Sequence, residues 1–223
     1  MPTVAVLPGD DAGIRRISQA LAAGRPVLLP LPTPLPYVVA GTEAAAVNRA
    51  KGRPDGQTAG MLVADLAMVR PHVCLDDETF ALAGRLAADE RVNLFVPVRP
   101  HGPAWLAPST ADGLLGVMVA CLDRFRGVLE ESGHLYVSSA NRTGQEVAVT
   151  AAGADAAFGG ELDVLDGDAL REDGVPCGSA TIVRVDPGGR FDVARRGIQD
   201  AGAPSAKDYL STAVTRIGTP PAG

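Results

Sequence analysis

Short apolar runs alternate along this chain with segments whose apolar residues recur every three or four positions, which is the pattern of strands and helices in alternation. Extended segments are predicted at residues 26–30, 61–64, 92–98, 114–121, 135–138, 181–185 and 191–194. Helices are predicted to begin near residues 11, 44, 77, 123, 150 and 201.

The predicted ends of these elements depend on capping and turn chemistry. The carboxylates of Asp10 and Asp11 can accept hydrogen bonds from the first free N–H groups of a helix, and Gly24 can end that helix. Residues 97–116 are rich in Pro and Gly and are predicted to form a loop. The sequence Asp-Pro-Gly-Gly at 186–189 predicts a tight turn, because Pro fixes φ and Gly supplies a positive φ.

Strands that alternate with helices predict an α/β fold with a twisted, mixed sheet flanked by helices. No linker or internal repeat divides residues 3–198. A single domain is therefore predicted for residues 1–200, followed by a C-terminal helix and a frayed tail over residues 201–223. The pattern leaves the order of the strands in the sheet undetermined.

Composition and charge narrow the class of protein. The 223 residues are 46% hydrophobic but only 4% aromatic, so small aliphatic side chains must fill most of the core. A net charge of −6 argues against a protein that coats nucleic acid over its whole surface. Without a long apolar run or a basic leader, we expect no membrane span, no signal peptide and a cytoplasmic location. The three scattered cysteines and three scattered histidines predict neither a disulfide framework nor a metal site.

Two candidate ligand-binding segments lie in the first quarter of the chain. Residues 31–37 follow a strand, and their three prolines stiffen a loop that can direct the hydroxyls of Thr33 and Tyr37 towards a ligand. A proline-braced turn with a half-buried tyrosine explains the same residues. Lys51 and Arg53 lie two residues apart where a helix ends, and such a pair can bind a polyphosphate. Both cations would equally offset the negative end of the helix dipole.

Two further candidate segments lie in the second half of the chain. Residues 136–144 run from a strand into a loop whose hydroxyl and amide groups can donate to phosphate or carboxylate oxygens, or can simply form a polar turn. Ser179 and Thr181 would face the same side of a strand, and Arg195 ends the next extended segment. A hydroxyl pair at a sheet edge and a solvated basic turn explain these residues as well. No Walker-type loop, dinucleotide fingerprint or convincing nucleophilic triad accompanies them.

In their order and spacing, these segments resemble the motifs of the YrdC-type family, the L-threonylcarbamoyladenylate synthases. That family typically has P-T-[D/E]-T-x-Y-G-L after a strand, then K-x-R-P, [S/T]-S-A-N-x-[S/T]-G, S-T-[I/V]-[I/V] and a late R-x-G. The counterparts here are residues 32–37, 51–54, 138–144, 179–183 and 195–197, within a similarity that covers roughly residues 14–197.

The resemblance implies a catalytic domain with a YrdC-like twisted, mixed sheet, flanking helices and a deep concave groove. It also implies that L-threonine, bicarbonate and ATP, with Mg²⁺, give threonylcarbamoyl-AMP and pyrophosphate. A transient partner, a transferase, would then move the threonylcarbamoyl group to a tRNA adenosine.

The same resemblance assigns the nucleotide phosphates to Lys51 and Arg53, which form the catalytic pair. Further ATP-binding residues implied by the motifs are Ser138, Ser139, Asn141, Ser179 and Arg195. The amino-acid end of the groove is implied to be lined by Thr33, Tyr37 and Thr181.

The chain departs from the family pattern mainly where the amino acid is bound. Residues 34–36 are Pro-Leu-Pro instead of an acidic or polar residue, Thr and an apolar residue, and residues 38–39 are Val-Val instead of Gly-Leu. Met118 stands where the family has an arginine, and a thioether cannot pair with a carboxylate or a phosphate. Two alternatives stay open: an enzyme that serves another acceptor, and a module that binds nucleotide or RNA without turnover. The net charge weighs against broad RNA binding.

Overall fold

The computed structural model describes residues 5–218, in which eleven strands form one mixed sheet and six α-helices pack against it. The strands are β1 (Val6–Leu7), β2 (Val27–Pro30), β3 (Tyr37–Gly41), β4 (Gly60–Val63), β5 (Asn93–Pro97), β6 (Thr110–Ala111), β7 (Leu114–Met118), β8 (His134–Ser139), β9 (Val164–Leu165), β10 (Ile182–Val185) and β11 (Phe191–Arg195). The helices are α1 (Asp11–Ala22), α2 (Ala44–Ala50), α3 (Asp77–Asp89), α4 (Arg126–Ser132), α5 (Ala151–Phe158) and α6 (Ala206–Gly218). Short 3-10 helices occupy Leu66–His72, Ala104–Ser109, Asp123–Phe125 and Asp168–Leu170. The predicted α/β class is confirmed.

The order of strands across the sheet is β1-β9-β2-β3-β8-β4-β7-β5-β10-β11, and β6 pairs with β7 beside this row. Parallel pairs join β9 to β1 and β2, β4 to β7, and β5 to β10, and the remaining pairs are antiparallel. Strands that are distant in sequence are therefore neighbours. The order places β8 between β3 and β4, so the loop that follows β8 lies close to the end of α2.

Capping residues fix the helix ends largely where the sequence places them. The Asp10 carboxylate accepts a hydrogen bond from the Gly13 N–H at 2.9 Å, and Gly24 follows α1 with a φ of 71°. Asp76 caps α3 by accepting from the Thr79 N–H at 2.7 Å. The helix predicted from residue 123 begins with a 3-10 turn, so that α4 starts three residues later, at Arg126.

Some elements have no clear signal in the sequence. All five residues of β3 are buried, because helices or loops cover both faces of this central strand. The sequence predicts only a proline-rich loop before it. The strands β1 and β9 have two residues each, which is too short for a periodic pattern. The predicted loop at 97–116 contains a 3-10 helix and β6. The frayed tail predicted at the C-terminus falls mostly on residues 219–223, which lie outside the described part of the chain.

Two hydrophobic clusters lie on opposite faces of the sheet. The helices α2, α3, α5 and α6 pack on the first face, and α1 and α4 pack on the second against β2, β4, β8 and β9. The second face of β5, β7 and β10 lines a cavity instead. Within residues 5–218, no helix has both the length and the apolar character that crossing a membrane requires.

The helix α1 contributes buried side chains to the second cluster, and we expect the truncation of one of them to destabilise the protein. Leu21 is 1% exposed in this cluster, whereas Leu170 is 45% exposed on the surface. Leu21→Ala should lower the free energy of unfolding by about 2–5 kcal/mol, since it leaves a cavity in a packed core. The matched change Leu170→Ala should cost less than about 1 kcal/mol. Urea denaturation of both variants measures the difference, and similar losses would contradict the packing of α1 described here.

Candidate functional site

A cavity of about 440 Å³ lies on the second face of the sheet, over β5, β7 and β10. Successive side chains of a strand point to opposite faces, so alternate residues enter the cavity. Asn93 and Phe95 of β5 line it, while Leu94 between them packs into the first hydrophobic cluster. Gly116 and Met118 of β7 line the cavity in the same way. Strand periodicity therefore decides which side chains a ligand would meet.

The structure brings most of the predicted phosphate-binding residues together at this cavity. The predicted residues that line it are Arg53, Ser138, Ser139, Ser179 and Arg195. Lys51 and Asn141 lie directly behind Ser139. The Lys51 ammonium donates to the Ser139 carbonyl oxygen and, at 3.1 Å, to Asn141 Oδ1. The Ser139 hydroxyl donates to the same Oδ1 at 2.7 Å. These contacts join the end of α2 to the end of β8.

The turn after α2 presents both cations on this side of the molecule. Gly52 has a φ of 67°, a left-handed conformation that glycine adopts without strain, and it separates Lys51 from Arg53. The Arg53 N–H donates to the Asn48 carbonyl at 2.8 Å, which closes the turn. Its guanidinium Nη1 donates to the Ser138 hydroxyl at 3.0 Å. The Arg53 Nε is buried and has no hydrogen-bond partner among the described residues. The turn therefore places the Arg53 guanidinium beside Ser138 in the lining of the cavity.

The positive charges at the cavity are not balanced by carboxylates. Within residues 5–218, no ion pair includes Lys51, Arg53 or Arg195, although many other arginines pair with Asp or Glu. Of the described residues that line the cavity, Asp112 alone carries a carboxylate. Lys51 is 2% exposed, and burial, followed by the nearby charge of Arg53, lowers its pKa to about 7. An anionic ligand would compensate these charges.

Thr33 and Tyr37, which the sequence assigns to substrate, do not line this cavity. Tyr37 is fully buried; its hydroxyl donates to Asp168 Oδ1 at 2.7 Å and accepts from the Gly167 N–H at 3.1 Å. Burial, and then the hydrogen bond to Asp168, raises the pKa of Tyr37. The Thr33 hydroxyl accepts from the Glu172 N–H at 3.0 Å. Both hydroxyls hold the proline-rich loop against residues 167–172, and the neighbouring Leu31, Leu35 and Pro36 line the cavity.

Thr181 also lies outside the cavity lining and belongs to a buried hydrogen-bond network around Asp200. Its hydroxyl donates to Asp200 Oδ1 at 2.7 Å, and the Gly197 N–H donates to the same oxygen at 2.7 Å. Burial raises the pKa of Asp200, but hydrogen bonds from Gly197, Thr181 and Arg196 outweigh it and lower that pKa overall. A Cβ at Gly197 would overlap the backbone of residues 179–181. This hydrogen-bond network fixes the course of the backbone beside Ser179 and Arg195.

Sequence reasoning missed several residues that line the cavity. Asn93 Oδ1 and the Ser109 hydroxyl are buried without a hydrogen-bond partner in the described part of the chain. Asn93 begins a strand that is otherwise apolar, and this single polar residue is the one signal that the sequence offered. Ser109 and Asp112 fall in the segment 97–116, whose composition indicated only a loop, so nothing in the pattern placed them at a site.

Comparisons with known proteins agree with this fold. The family model Sua5/YciO/YrdC, which carries the description "Telomere recombination", matches residues 19–197. Two structures of P. abyssi Sua5, one of them complexed with L-threonine, are similar at TM-scores of 0.69 and 0.63 and 16% identity. They cover 87% and 82% of this chain, which spans only 57% and 54% of theirs.

Two other solved proteins are similar at comparable levels. E. coli YciO has a TM-score of 0.65 at 15% identity, and the match covers 91% of this chain and 98% of that one. Full-length HypF in the phosphate- and nucleotide-bound form has a TM-score of 0.66 at 20% identity, over 85% of this chain and 29% of that one. A comparison with curated proteins gives no match.

At these identities the solved structures show a shared fold, and the family model shows more, because it spans most of the chain. The resemblance predicted from the order of the motifs is confirmed. The chain belongs to the Sua5/YciO/YrdC family.

Proposed function

We propose that this protein is an ATP-dependent enzyme that forms a carbamoyl-type acyl adenylate, threonylcarbamoyl-AMP in the family's reaction, from an amino acid, bicarbonate and ATP. One observation carries the proposal: Arg53 and Arg195 line one cavity together with hydroxyl groups, Lys51 lies directly behind Ser139 of that lining, and none of the three cations has an ion pair in the described chain. The nucleotide- and phosphate-bound HypF and the threonine complex of P. abyssi Sua5 support both kinds of substrate.

The reaction needs no covalent intermediate on the enzyme. The amine nitrogen adds to the carbon of bicarbonate with loss of water, which gives a carbamate. A carbamate oxygen then attacks the α-phosphorus of ATP, the bond from this phosphorus to the bridging oxygen breaks, and pyrophosphate leaves with the bonding electrons. Since charge moves onto pyrophosphate, fixed cations and positioning can supply most of the catalysis.

The cavity residues have distinct roles in this proposal. Lys51 acts as a point charge on the phosphates, and Arg53 offers a planar fork whose Nε is unpaired among the described residues. Ser138, Ser139 and Asn141 add neutral polar groups beside them, and Ser179 and Arg195 close the far side of the groove. Thr33, Tyr37 and Thr181 remain proposed residues of the amino-acid end, where they would act by holding the segments that line it.

Magnesium fits this site as a part of the substrate. Within residues 5–218, no three His, Cys, Asp or Glu side chains cluster to hold a metal ion. Mg²⁺ usually keeps several waters and binds substrate phosphates together with one or two carboxylates. Asp112 offers one such carboxylate, so an ion that arrives with ATP matches the donors present. The product would pass to a transient transferase partner that acts on tRNA, and the proposal places both proteins in the cytoplasm.

The proposal predicts product formation in a defined mixture. Purified protein with ATP, Mg²⁺, bicarbonate and a panel of amino acids that includes L-threonine should release pyrophosphate and an equal amount of acyl adenylate. A coupled pyrophosphate assay and mass spectrometry measure the two products. Omission of bicarbonate is the control, because direct adenylation of the amino acid would continue without it. If no amino acid gives product and RNA binds with strong salt dependence, a non-catalytic binding module replaces this proposal.

Removal of either cation of the catalytic pair should weaken ATP binding. Lys51→Ala and Arg53→Ala each remove a charge-assisted contact, which contributes about 1.5–3 kcal/mol or a roughly 10- to 150-fold change in Kd. Titration calorimetry measures Kd, and thermal unfolding shows whether each variant folds. The exposed Lys207, the other lysine of the chain, and the exposed Arg85 provide matched alanine controls. An unchanged Kd in both cavity variants would rule out the phosphate assignment.

The low pKa of Lys51 predicts that ATP affinity depends on pH. Because this pKa is about 7 in the free protein, the amine is mostly neutral at pH 8.5. A bound phosphate favours the charged amine and raises its pKa, so binding takes up a proton above pH 7. The Kd for ATP should therefore rise between pH 7 and pH 9, by at most about tenfold per pH unit. Lys51→Met should remove most of this slope, and a flat wild-type profile would show that no phosphate reaches Lys51.

A further inference from the structure

Four residues form a row across the floor of the cavity, and two of them are glycines. The sheet register pairs Val137 of β8 with Gly60 of β4, and Gly116 of β7 with Phe95 of β5. The residues that follow the two glycines are paired with each other and pack into the first hydrophobic cluster, on the opposite face of the sheet. The glycines are therefore neighbours that face the cavity, and all four residues of the row line it.

The two glycines leave part of this floor without side chains. A glycine inside a strand weakens the strand, and it often marks a place where a ligand or another backbone approaches closely. At Gly116 the Phe95 ring takes up the free space, since a Cβ there would stand 3.2 Å from the ring. At Gly60, apart from its chain neighbours, the described residue that comes within 4 Å of such a Cβ is Val137. The floor is therefore bare over Gly60, between the Phe95 ring and Val137.

The Phe95 ring has surface left for a ligand. Among the described residues that line the cavity, Phe95 alone is aromatic. It is half-buried, whereas Leu94 and Val96 on either side of it in β5 are fully buried on the other face. Aromatic rings favour offset-stacked or edge-to-face contacts with other rings. A planar ring that entered the cavity would find such a partner in Phe95.

The neighbouring lining is polar as well as apolar. Thr58 and Asp112 line the cavity together with Ser109, whose carbonyl oxygen lies 3.7 Å from the Cβ position of Gly116. Thr58 lies two residues before Gly60. An aliphatic ligand would bury such groups without partners, whereas a nucleobase joins two apolar faces to a polar edge. A heteroaromatic ring therefore matches this part of the cavity.

We infer that the base of the nucleotide lies over Gly60 and packs against the Phe95 ring; this inference rests on the proposed function. An aromatic side chain binds a base through its π-face, which every base has, so the contact needs no particular hydrogen-bonding pattern. Ser138 directly follows Val137 in β8 and accepts a hydrogen bond from Arg53 Nη1 at 3.0 Å. Base and phosphates would thus occupy adjoining parts of one cavity.

Titration of the full chain with two magnesium complexes separates the base from the phosphates. The probes are ATP and inorganic tripolyphosphate, which has no base. Phe95→Leu should weaken ATP binding at least about fivefold and leave the Kd for tripolyphosphate unchanged. Lys51→Ala, by contrast, should weaken both ligands, because both carry phosphates.

Two further variants test the position of the base. Gly60→Ala places a methyl group on the bare floor and should weaken ATP but not tripolyphosphate. Because its Cβ would stand 3.3 Å from the Val137 carbonyl oxygen, thermal unfolding checks that the variant folds. Phe80→Leu, at a partly buried phenylalanine outside the cavity lining, is the matched control and should leave both Kd values unchanged.

A fluorescence measurement reports on the contact directly. Trp105 is the single tryptophan of the chain, so Trp105→Phe gives a background without indole emission. The indole introduced into this background by Phe95→Trp should be quenched by ATP and not by tripolyphosphate, because a stacked base changes its emission. Equal quenching by both ligands, or by neither, would overturn the inference.

The outcomes distinguish this inference from the proposed function. Equal weakening of both ligands by Phe95→Leu would show a merely structural role and overturn the inference, and an unchanged Kd for ATP would overturn it too. If ATP binding depends on Phe95 as expected but no acyl adenylate forms, the base site is confirmed and the proposed function is wrong. If acyl adenylate forms while ATP binding is independent of Phe95, the proposed function holds and the inference is wrong.

Discussion

The site depends on one buried contact, in which the Lys51 ammonium donates to the Ser139 carbonyl and to Asn141. This contact joins the end of α2 to the end of β8, two segments that are 88 residues apart in sequence. Two neutral acceptors offset only part of the cost of burying a charge, and for this reason burial lowers the pKa of Lys51. The same contact therefore holds the fold together at this point and leaves a cation that an anion can stabilise further.

The protein as a whole has a net charge of −6, so the cations without ion pairs at the cavity have the opposite sign to the overall charge. Elsewhere in the described chain, arginines commonly pair with nearby carboxylates, as Arg16 does with the buried Asp163. An acidic protein repels a polyanion over most of its surface, and a cleft with unpaired cations and apolar walls attracts it locally. The position of the charges can therefore guide a nucleotide to one cavity, although the sum of the charges has the opposite sign.

Local chemistry made part of this structure predictable. Asp10 and Asp76 cap their helices as residues of their type should, and the short spacing of Lys51 and Arg53 places both cations on one turn. The order of the strands could not be predicted, because it depends on pairing between segments that are distant in sequence. The hydrogen-bond partner of the Tyr37 hydroxyl is also distant in sequence, because Tyr37 donates to Asp168, 131 residues later. Asn93 was difficult to predict as a site residue, because a single polar residue in an apolar strand forms no periodic pattern.

The two ends of the cavity tolerate change differently. At the phosphate end, a substitution at Lys51 disturbs a buried contact between two segments, so binding and folding constrain the same residue. The floor of the cavity is made of strand side chains, whose backbone pairing does not depend on the identity of Met118 or Asn93. Substitutions there change what a ligand meets without breaking the sheet. The chain departs from the family pattern at Met118 but keeps the Lys51-Gly52-Arg53 turn. This is the expected result if folding constrains the turn and does not constrain the side chains of the cavity floor.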